Sequence, residues 1–189
     1  EHEGALRTSA GYWTLVPKWF EKNLKWGVSK TGKPALRIEG SGRVHFNSRF
    51  DTLTSSPGWR RYLAHNRCLL FLDCYYEWSD EEMLGAGVKK AGRFSVKGRE
   101  AFPVAGIYSW IPDAQGEPLL TYSIITTEPN DMMRALPHHR MPAILDEGSA
   151  RQWLAASTGE PESLLRMFPD GRMQGEVVEA TSFERLLAG

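Results

Sequence analysis

The sequence is poor in cysteine and lacks several features that mark specialised classes of protein. It contains two cysteines in 189 residues, which excludes a disulfide-stabilised secreted scaffold. It has no run of eighteen apolar residues and no basic, apolar leader, so we expect neither a membrane span nor an export signal. Its 23 basic residues balance 23 acidic residues. Net charge therefore does not draw the chain to nucleic acid, although a local basic face remains compatible with this balance.

The two cysteines, Cys68 and Cys74, lie six positions apart in an apolar stretch. Even spacing in one strand would place them on one face, poorly oriented for a disulfide. We interpret both as small buried residues of a reduced, cytoplasmic protein. Two cysteines alone are not a zinc signature, and His45, His138 and His139 lack the spacing of a helical metal site. We therefore expect no metal and no cofactor.

Length and composition are those of one soluble globular unit, with 41% hydrophobic and 24% charged residues. Alternating and apolar runs predict strands over 11–16, 44–50, 67–78, 93–96, 102–110, 119–127, 141–145 and 176–178. Helical patterns and start signals predict short helices over 18–26, from Ser55-Ser56-Pro57-Gly58, and over 128–136, 150–156 and 162–168. A glycine-rich loop is expected at 27–42, a charged turn near 80–90, and a hairpin turn at Pro112-Asp113-Ala114-Gln115-Gly116. Residues 1–189 are thus expected to form a single α+β domain, with a mainly antiparallel, curved or barrel-like β-sheet core and short peripheral helices.

Three segments carry residues suited to chemistry. Asn47 and Arg49 lie two apart in a strand and so share a face, where an amide and a guanidinium can bind a phosphate or a sugar. Glu77 ends the apolar run among aromatic residues, and desolvation there raises a carboxyl pKa toward neutrality. His138 or His139, held before Met141-Pro142, supplies a group that titrates in the same range. Taken singly, each has an ordinary structural explanation: a solvated strand face, a carboxylate paired with a lysine, or a histidine without a role.

The order of these motifs is more specific than any one of them. The chain contains Trp13-Thr14-Leu15-Val16-Pro17-Lys18-Trp19, then Asn47-x-Arg49, Arg67-Cys68-Leu69 leading to Tyr75-Tyr76-Glu77-Trp78, and Ile124-Ile125-Thr126-Thr127 leading to His138-x-Arg140-Met141-Pro142. In this order, over residues 11–146, the chain resembles the SRAP family (SOS response-associated peptidase). The resemblance implies a DNA-damage sensor that recognises abasic sites in single-stranded DNA and shields them through a covalent DNA–protein crosslink.

The resemblance also implies roles for individual residues. In the family, an N-terminal cysteine, exposed when the initiator methionine is removed, forms a Schiff base with the ring-opened sugar and then a thiazolidine. By similarity Glu77 exchanges protons with the amine, His138 rather than His139 acts on the sugar ring oxygen, and Asn47 orients the terminus and the sugar. The DNA groove would be lined by Trp13, Pro17, Trp19, Arg49, Thr126 and Arg140, where arginines hold phosphates and rings stack on bases.

One departure from the family pattern leaves alternatives open. The chain begins with Glu1-His2-Glu3-Gly4, and neither internal cysteine offers an amine and a thiol on one residue. We expect that the reactive terminus lies outside this sequence. The alternative is a single-stranded DNA-binding module of the same fold that has lost its nucleophile, and a more distant one is a peptidase using Glu77 and His138. For each reading we expect a monomer in the cytoplasm, associated with the nucleoid.

Overall fold

The computed structural model describes residues 6–28, 30, 32, 34–39, 45–81, 87–155 and 161–188. The strands are β1 Tyr12–Trp13, β2 Leu24–Val28, β3 Pro34–Ile38, β4 Asn47–Arg49, β5 Arg67–Leu72, β6 Tyr75–Trp78, β7 Lys90–Val96, β8 Phe102–Pro112, β9 Pro118–Thr127, β10 Met141–Pro142 and β11 Met173–Glu179. The α-helices are α1 Phe50–Ser55, α2 Pro57–His65, α3 Asp131–Ala135, α4 Glu147–Leu154 and α5 Glu184–Leu187. Short 3-10 helices cover Lys18–Asn23, Pro161–Leu164, Asp170–Arg172 and Ala180–Ser182. No helix in these described parts is both long and apolar enough to span a membrane.

Three sheets organise the described residues. The main sheet runs in the order β1-β9-β8-β5, and β4 and β10 also pair with β9. The second sheet has the order β11-β7-β6, and β2 pairs with β3 in a third. Strands β1 and β4 run parallel to β9, whereas the other pairs are antiparallel. The predicted α+β class with a mainly antiparallel, curved sheet and short helices is confirmed; the sheet is open at its ends rather than closed.

Strand β8 is the centre of the core because both of its faces are buried. Ala105 and Ile107 pack into a cluster beneath α2 and α4, together with Leu63 and Trp153. The alternate residues of β8, beginning with Phe102, pack into a second cluster between the two larger sheets. A strand covered on both faces reads as a continuous apolar run, which is why the sequence predicted it well.

The predicted strand over 67–78 is wrong in one respect: the chain forms two strands in different sheets. It turns at Asp73, whose Oδ1 accepts a 2.7 Å hydrogen bond from the backbone N–H of Cys74. Strand β5 then pairs with β8, and β6 pairs with β7. Cys68 and Cys74 therefore do not share a strand; both are free, and burial raises the pKa of Cys68 to about 12. An aspartate with turn propensity inside an apolar run was the available signal.

The predicted loop over 27–42 is wrong at residues 27–28 and 34–38. Strands β2 and β3 pair antiparallel there, from Leu24 opposite Ile38 to Val28 opposite Pro34. Residues 29, 31, 33 and 40–42 of that loop, residue 44 of a predicted strand, residues 82–86 of a predicted charged turn, residue 156 of a predicted helix and the segment 1–4 lie outside the described residues. Helix α1 was not predicted, and the helix expected over 162–168 is a 3-10 turn of four residues.

Two local signals in the sequence are confirmed. Helix α2 begins with Pro57 in its first turn, as the Ser-Ser-Pro-Gly signal indicated. The turn after Pro112 closes the β8–β9 hairpin, with the backbone N–H of Asp113 bonded to Glu117 at 2.8 Å. Gly116 supplies the positive φ of +90° that this turn requires.

Candidate functional site

Glu77 lies in the second sheet, on the short strand β6 opposite Gly92 of β7. Tyr75, two residues before Glu77, anchors the strand because its ring stacks on the ring of Phe94, with 5.4 Å between the ring centroids. Its hydroxyl also donates to the sulfur of Met133 at 3.3 Å. The Glu77 side chain is 24% exposed, and burial raises the pKa of its carboxyl to about 7. The predicted effect of the aromatic surroundings on this acid therefore agrees with the geometry.

His138 reaches Glu77 from a turn that follows helix α3. Asn130 caps that helix by accepting a bond from the N–H of Met133, and the backbone N–H of His138 donates to the carbonyl of Met133. Buried Met133 and Leu136 fix this turn in the second core cluster. The Nε2 atom of His138 lies 3.3 Å from Oε2 of Glu77. The structure thus brings together the predicted acid and the predicted histidine, which are sixty-one positions apart in sequence.

The other ring nitrogen determines which tautomer of His138 is present. Nδ1 lies 2.8 Å from the backbone oxygen of Trp78. A carbonyl only accepts hydrogen bonds, so Nδ1 carries a proton and donates it. In the neutral ring, Nε2 therefore presents a lone pair to the carboxyl of Glu77. A hydrogen bond between them requires one proton, held either by Glu77 or by Nε2.

The surroundings favour neutral forms of both groups. Burial is the main cause that lowers the pKa of His138, against the opposing effect of its bond to Trp78. Burial also raises the pKa of Glu77 to about 7. A carboxyl with a pKa of about 7 is present in both protonated and ionised forms near neutral pH, and Nε2 of His138 lies 3.3 Å from it. Such a pair can give a proton to a leaving oxygen or take one from an attacking amine.

A second pair next to it provides a useful contrast. His139 Nε2 lies 3.3 Å from Oδ2 of Asp80, where the two side chains are 49% and 32% exposed. The Glu77–His138 pair is more buried, at 24% and 20%. Water competes more strongly for the outer pair, so the inner pair is better suited to proton transfer. This agrees with the choice of His138 over His139.

Arginines converge on one acidic residue at the edge of the main sheet. Arg49 ends β4 and forms a two-point interaction with Asp51, at 2.8 and 3.2 Å. Arg140 Nη2 lies 3.6 Å from the same carboxylate. The hydrogen bond from Arg49 is the main cause that lowers the pKa of Asp51. Asp51 was not among the predicted site residues, although it lies two positions after Arg49 in the sequence.

Thr126 does not line an open groove; it holds Arg140. Thr126 is buried. Its hydroxyl and its carbonyl both accept hydrogen bonds from the Arg140 guanidinium, at 3.2 and 2.5 Å respectively. The parallel register places Thr126 beside Arg49. Asn47 and Arg49 are exposed on one face of β4, and Ser48 between them is buried against Ser123 at 2.8 Å. The alternation predicted for this strand is therefore present.

Of the predicted patch, Trp13 and Trp19 are exposed, whereas Pro17 is not. Trp13 is half exposed, and its Nε1 donates to the carbonyl of Phe46 at 2.8 Å. Trp19 is 48% exposed and packs edge-on against Trp59 at 5.1 Å. Pro17 is buried, so it sets the start of the 3-10 helix that carries Trp19 and offers no open surface. Phe46, exposed and adjacent to Asn47, was not predicted as part of the site.

The described residues contain no cluster of three or more histidine, cysteine, aspartate or glutamate side chains that could hold a metal ion. The arginine cluster provides positive charge around Thr126 of β9, which pairs with Arg49 of β4 and with Pro142 of β10.

Comparison with known proteins places this arrangement in context. The abasic site processing protein YoaM of Bacillus subtilis is 36% identical over 141 residues, covering 75% of this chain and 59% of YoaM. The abasic site processing protein HMCES of Gallus gallus is 31% identical over 159 residues, covering 75% of this chain and 43% of HMCES. The chain thus spans about three fifths or less of the length of these curated relatives.

Solved structures agree with the fold. A protein from Bacteroides thetaiotaomicron is 34% identical, with a TM-score of 0.64 over 74% of this chain and 61% of that one. A protein from Bordetella bronchiseptica shares the fold at 20% identity, with a TM-score of 0.60 over 82% of this chain and 84% of that one. The model of the SOS response associated peptidase family matches residues 1–182. With the ordered motifs and the Glu77–His138 geometry on one fold, we conclude that this chain belongs to the SRAP family.

Proposed function

We propose that this protein processes abasic sites in single-stranded DNA by capturing them covalently. The observation that carries the proposal is the half-buried Glu77–His138 pair, in which Nε2 lies 3.3 Å from Oε2 and burial raises the pKa of the carboxyl to about 7. Two relatives that match three quarters of the chain are named abasic site processing proteins. The chemistry of an abasic sugar, an aldehyde in equilibrium with its closed ring, needs a group that both gives and takes protons.

The proposed reaction proceeds through an amine. As the sugar opens, Nε2 of His138 gives the proton of the pair to the ring oxygen, and the proton of the anomeric hydroxyl returns to the pair as the aldehyde forms. The α-amine of an N-terminal cysteine attacks the aldehyde carbon; one amine proton passes to the aldehyde oxygen, and Glu77 takes the second from the nitrogen and delivers it to the departing hydroxyl, so that water leaves and a Schiff base forms. The thiol of the same cysteine then adds to the imine carbon, its proton passes to the nitrogen, and a thiazolidine ring closes. An α-amine has a pKa near 8, so a useful fraction is neutral and nucleophilic at pH 7.

The nucleophile in this scheme is not one of the two internal cysteines. Cys68 and Cys74 carry their nitrogens in peptide bonds, so neither supplies the free amine that a thiazolidine requires. We propose that a native N-terminal cysteine, exposed by self-removal of the initiator methionine at the same site, provides both groups. Asn47, exposed on β4, would orient this terminus and the sugar.

Binding of the strand would use the arginine cluster and the exposed rings. Arg49 and Arg140 would exchange their bonds to Asp51 for phosphate oxygens, and Thr126 would keep Arg140 in place. Trp13 and Trp19 would stack on bases, which tolerates any sequence. We expect the protein to act as a monomer in the cytoplasm, on single strands near the nucleoid.

The test is a crosslinking assay with the gene product made from its native start codon. The protein is mixed with a single-stranded oligonucleotide that carries one abasic site and is run on a denaturing gel. A heat-stable shifted band is expected. No band, with intact single strands still retained on a native gel, would leave a DNA-binding module without the chemistry. A band that requires borohydride reduction would show a Schiff base without ring closure and refute the thiazolidine.

Two matched pairs of variants locate the chemistry. His138→Ala should slow crosslinking at least tenfold, because general acid–base groups typically contribute 10²–10⁴-fold. His139→Ala, which alters the adjacent and more exposed pair, should retain most of the rate; the reverse ranking would contradict the assignment. Glu77→Gln should slow the reaction in the same way, while Glu81→Gln, an exposed carboxyl bonded to Lys89, should not.

A further inference from the structure

A cavity of about 420 Å³ lies apart from the Glu77–His138 pair. Its lining comes from β5, β8, α4 and the segments next to them, and includes no residue of β6 or of 137–140. Leu69, Phe71, Phe102 and Phe168 provide an apolar floor. Leu6 borders its mouth and is 80% exposed, so it does not fill the space. The volume is in the range of sites that bind small molecules or peptide side chains.

The wall of this cavity on the β5 side is a sheet edge, and the hydrogen bonds of β8 show which way its ladder faces. The N–H of Ala105 donates to Ala143 at 2.9 Å, and the carbonyl of Pro103 accepts from Leu145 at 2.9 Å. These odd-numbered residues of β8 therefore direct their backbone groups away from β5. The even-numbered residues of β8 make the bonds to β5, because backbone directions alternate along a strand.

On β5 the same alternation leaves one set of groups pointing outward. Leu70 and Leu72 pair with even-numbered residues of β8 and so bond inward. The N–H and C=O groups of Leu69 and Phe71 consequently face the other side, where no described strand pairs with β5. Phe71 is 68% exposed. An unpaired edge next to an apolar cavity can receive an added strand.

Helix α4 covers the first half of β5, so the unpaired edge is accessible only along the second half of the strand. Trp153 Nε1 donates to the carbonyl of Cys68 at 2.9 Å, and Arg67 donates to the carbonyls of Trp153 and Ala155. These contacts cover the beginning of the strand. The accessible edge therefore corresponds to the residues whose side chains, Leu69 and Phe71, also line the cavity.

The rim of the cavity is positively charged. Arg99, Arg151 and Arg172 line it together with a single acidic residue, Glu147. Glu147 is bonded to Arg151 at 3.2 Å. Arg99 and Arg172 form no ion pair with any residue that the structure describes. Arg172 instead lies over the ring of Phe168 at 4.7 Å. Two guanidiniums without an ion pair at an apolar cavity favour an occupant that is apolar in the middle and acidic at its ends.

We propose that this edge and cavity form a docking site for an extended segment of a partner protein, with alternating apolar side chains flanked by Asp or Glu. The segment would pair with the outward backbone groups of Leu69 and Phe71 and insert an apolar side chain into the cavity. Its carboxylates would contact Arg99 and Arg172. Docking here would leave the Glu77–His138 pair and the arginine cluster around Asp51 accessible, so a partner and DNA can bind together.

The experiment selects peptides from a random phage-displayed octapeptide library on the full-length gene product. The selected peptides are then measured against three variants. Phe71→Ala keeps the outward N–H and removes the ring, whereas Phe71→Pro removes both without breaking the β5–β8 ladder, since that ladder uses the alternate residues. The double variant Arg99→Glu with Arg172→Glu reverses the charge of the rim. Thermal melts and the abasic-site crosslinking assay confirm that each variant is folded.

The expected peptides carry alternating apolar residues flanked by Asp or Glu. They should bind Phe71→Pro roughly two- to tenfold more weakly than Phe71→Ala, as one lost backbone bond predicts, and lose at least tenfold on the charge-reversed variant. If Phe71→Pro does not fold, the charge-reversed variant still tests the docking proposal. Failure to enrich acidic, apolar peptides over the charge-reversed protein would overturn the proposal. So would a concentration-dependent dimer, seen by sedimentation, that the Phe71 variants abolish, because a second copy would then be the occupant.

Discussion

Glu77 should make the stability of this protein depend on pH in a way that its amide variant removes. Burial raises the pKa of its carboxyl from 4.5 to about 7 in the folded state. The unfolded chain ionises this group near 4.5, so folding is not penalised below that pH. As the pH rises through 7, the folded state must carry a charge in a poorly solvated place. Stability is therefore lost between about pH 4.5 and 7.

The size of the effect follows from the two pKa values. Linkage between a pKa of 4.5 unfolded and about 7 folded gives a loss of about 2.5 kcal/mol between pH 5 and pH 8. Relative to Glu77→Gln, that loss corresponds to a fall in melting temperature of roughly 5–10 °C for a chain of this length. The amide keeps the shape of the carboxyl and can donate to Nε2 of His138, as the protonated acid does.

The assay is urea unfolding of both proteins at half-unit steps from pH 5 to pH 8. The difference in unfolding free energy between Glu77→Gln and wild type should grow in favour of the variant as the pH rises. His138, whose lowered pKa costs stability at acidic pH, is present in both proteins, so the difference isolates Glu77. Glu81→Gln, at a side chain that is 80% exposed, should follow the wild-type curve. A constant difference between pH 5 and pH 8 would refute the desolvation argument.

Three further predictions test the proposed DNA-binding residues and the fold. Arg49→Ala should weaken binding to abasic and intact single strands alike and reduce the slope of log affinity against log salt by about 0.7. The control Arg134→Ala, which breaks a similar exposed ion pair with Asp131, should leave this slope unchanged. A loss of affinity confined to abasic DNA would exclude a phosphate contact by Arg49. Gly92→Ala should lower the free energy of unfolding in urea by about 1–3 kcal/mol, because the new Cβ would lie 2.5 Å from the ring of Phe94. The control Gly27→Ala, at a position with open space around it, should lower it far less. Asp146→Ala should cost about 1 kcal/mol, because Asp146 caps helix α4 through the N–H of Ser149; equal melting temperatures would show that this helix end does not depend on the cap.

The sequence was informative wherever a local rule decided the outcome. Helix α2 begins at its proline, β8 and β9 follow continuous apolar runs, and the turn between them uses the expected glycine. It was misleading where pairing partners decided. The run 67–78 reads as one strand because nearly every position in it is apolar, but its two halves belong to two different sheets. The glycine-rich segment after Val28 reads as a loop, although its flanks pair with each other.

The same division applies to the site. Residue types and their order along the chain were enough to single out Glu77, His138, Asn47 and Arg49, because a buried acid, a histidine and an exposed amide–guanidinium pair are local properties. Their functional roles stay predictions that the proposed experiments test. The sequence could not show that Asp51 bridges Arg49 to Arg140, because that contact joins β4 to the segment before β10.

The sequence by itself thus determined the family and the α+β class, and it singled out Glu77 and His138 as the predicted acid and histidine, since these depend on residue type and order. Tertiary structure alone decided that Nε2 of His138 meets Glu77, that Pro17 and Thr126 are buried supports, and that the outer edge of β5 opens onto a cavity. The physical reason is that a 3.3 Å contact between Nε2 and Oε2, a buried face and an unpaired strand edge are properties of neighbours brought together by folding. Spacing along the chain does not encode them.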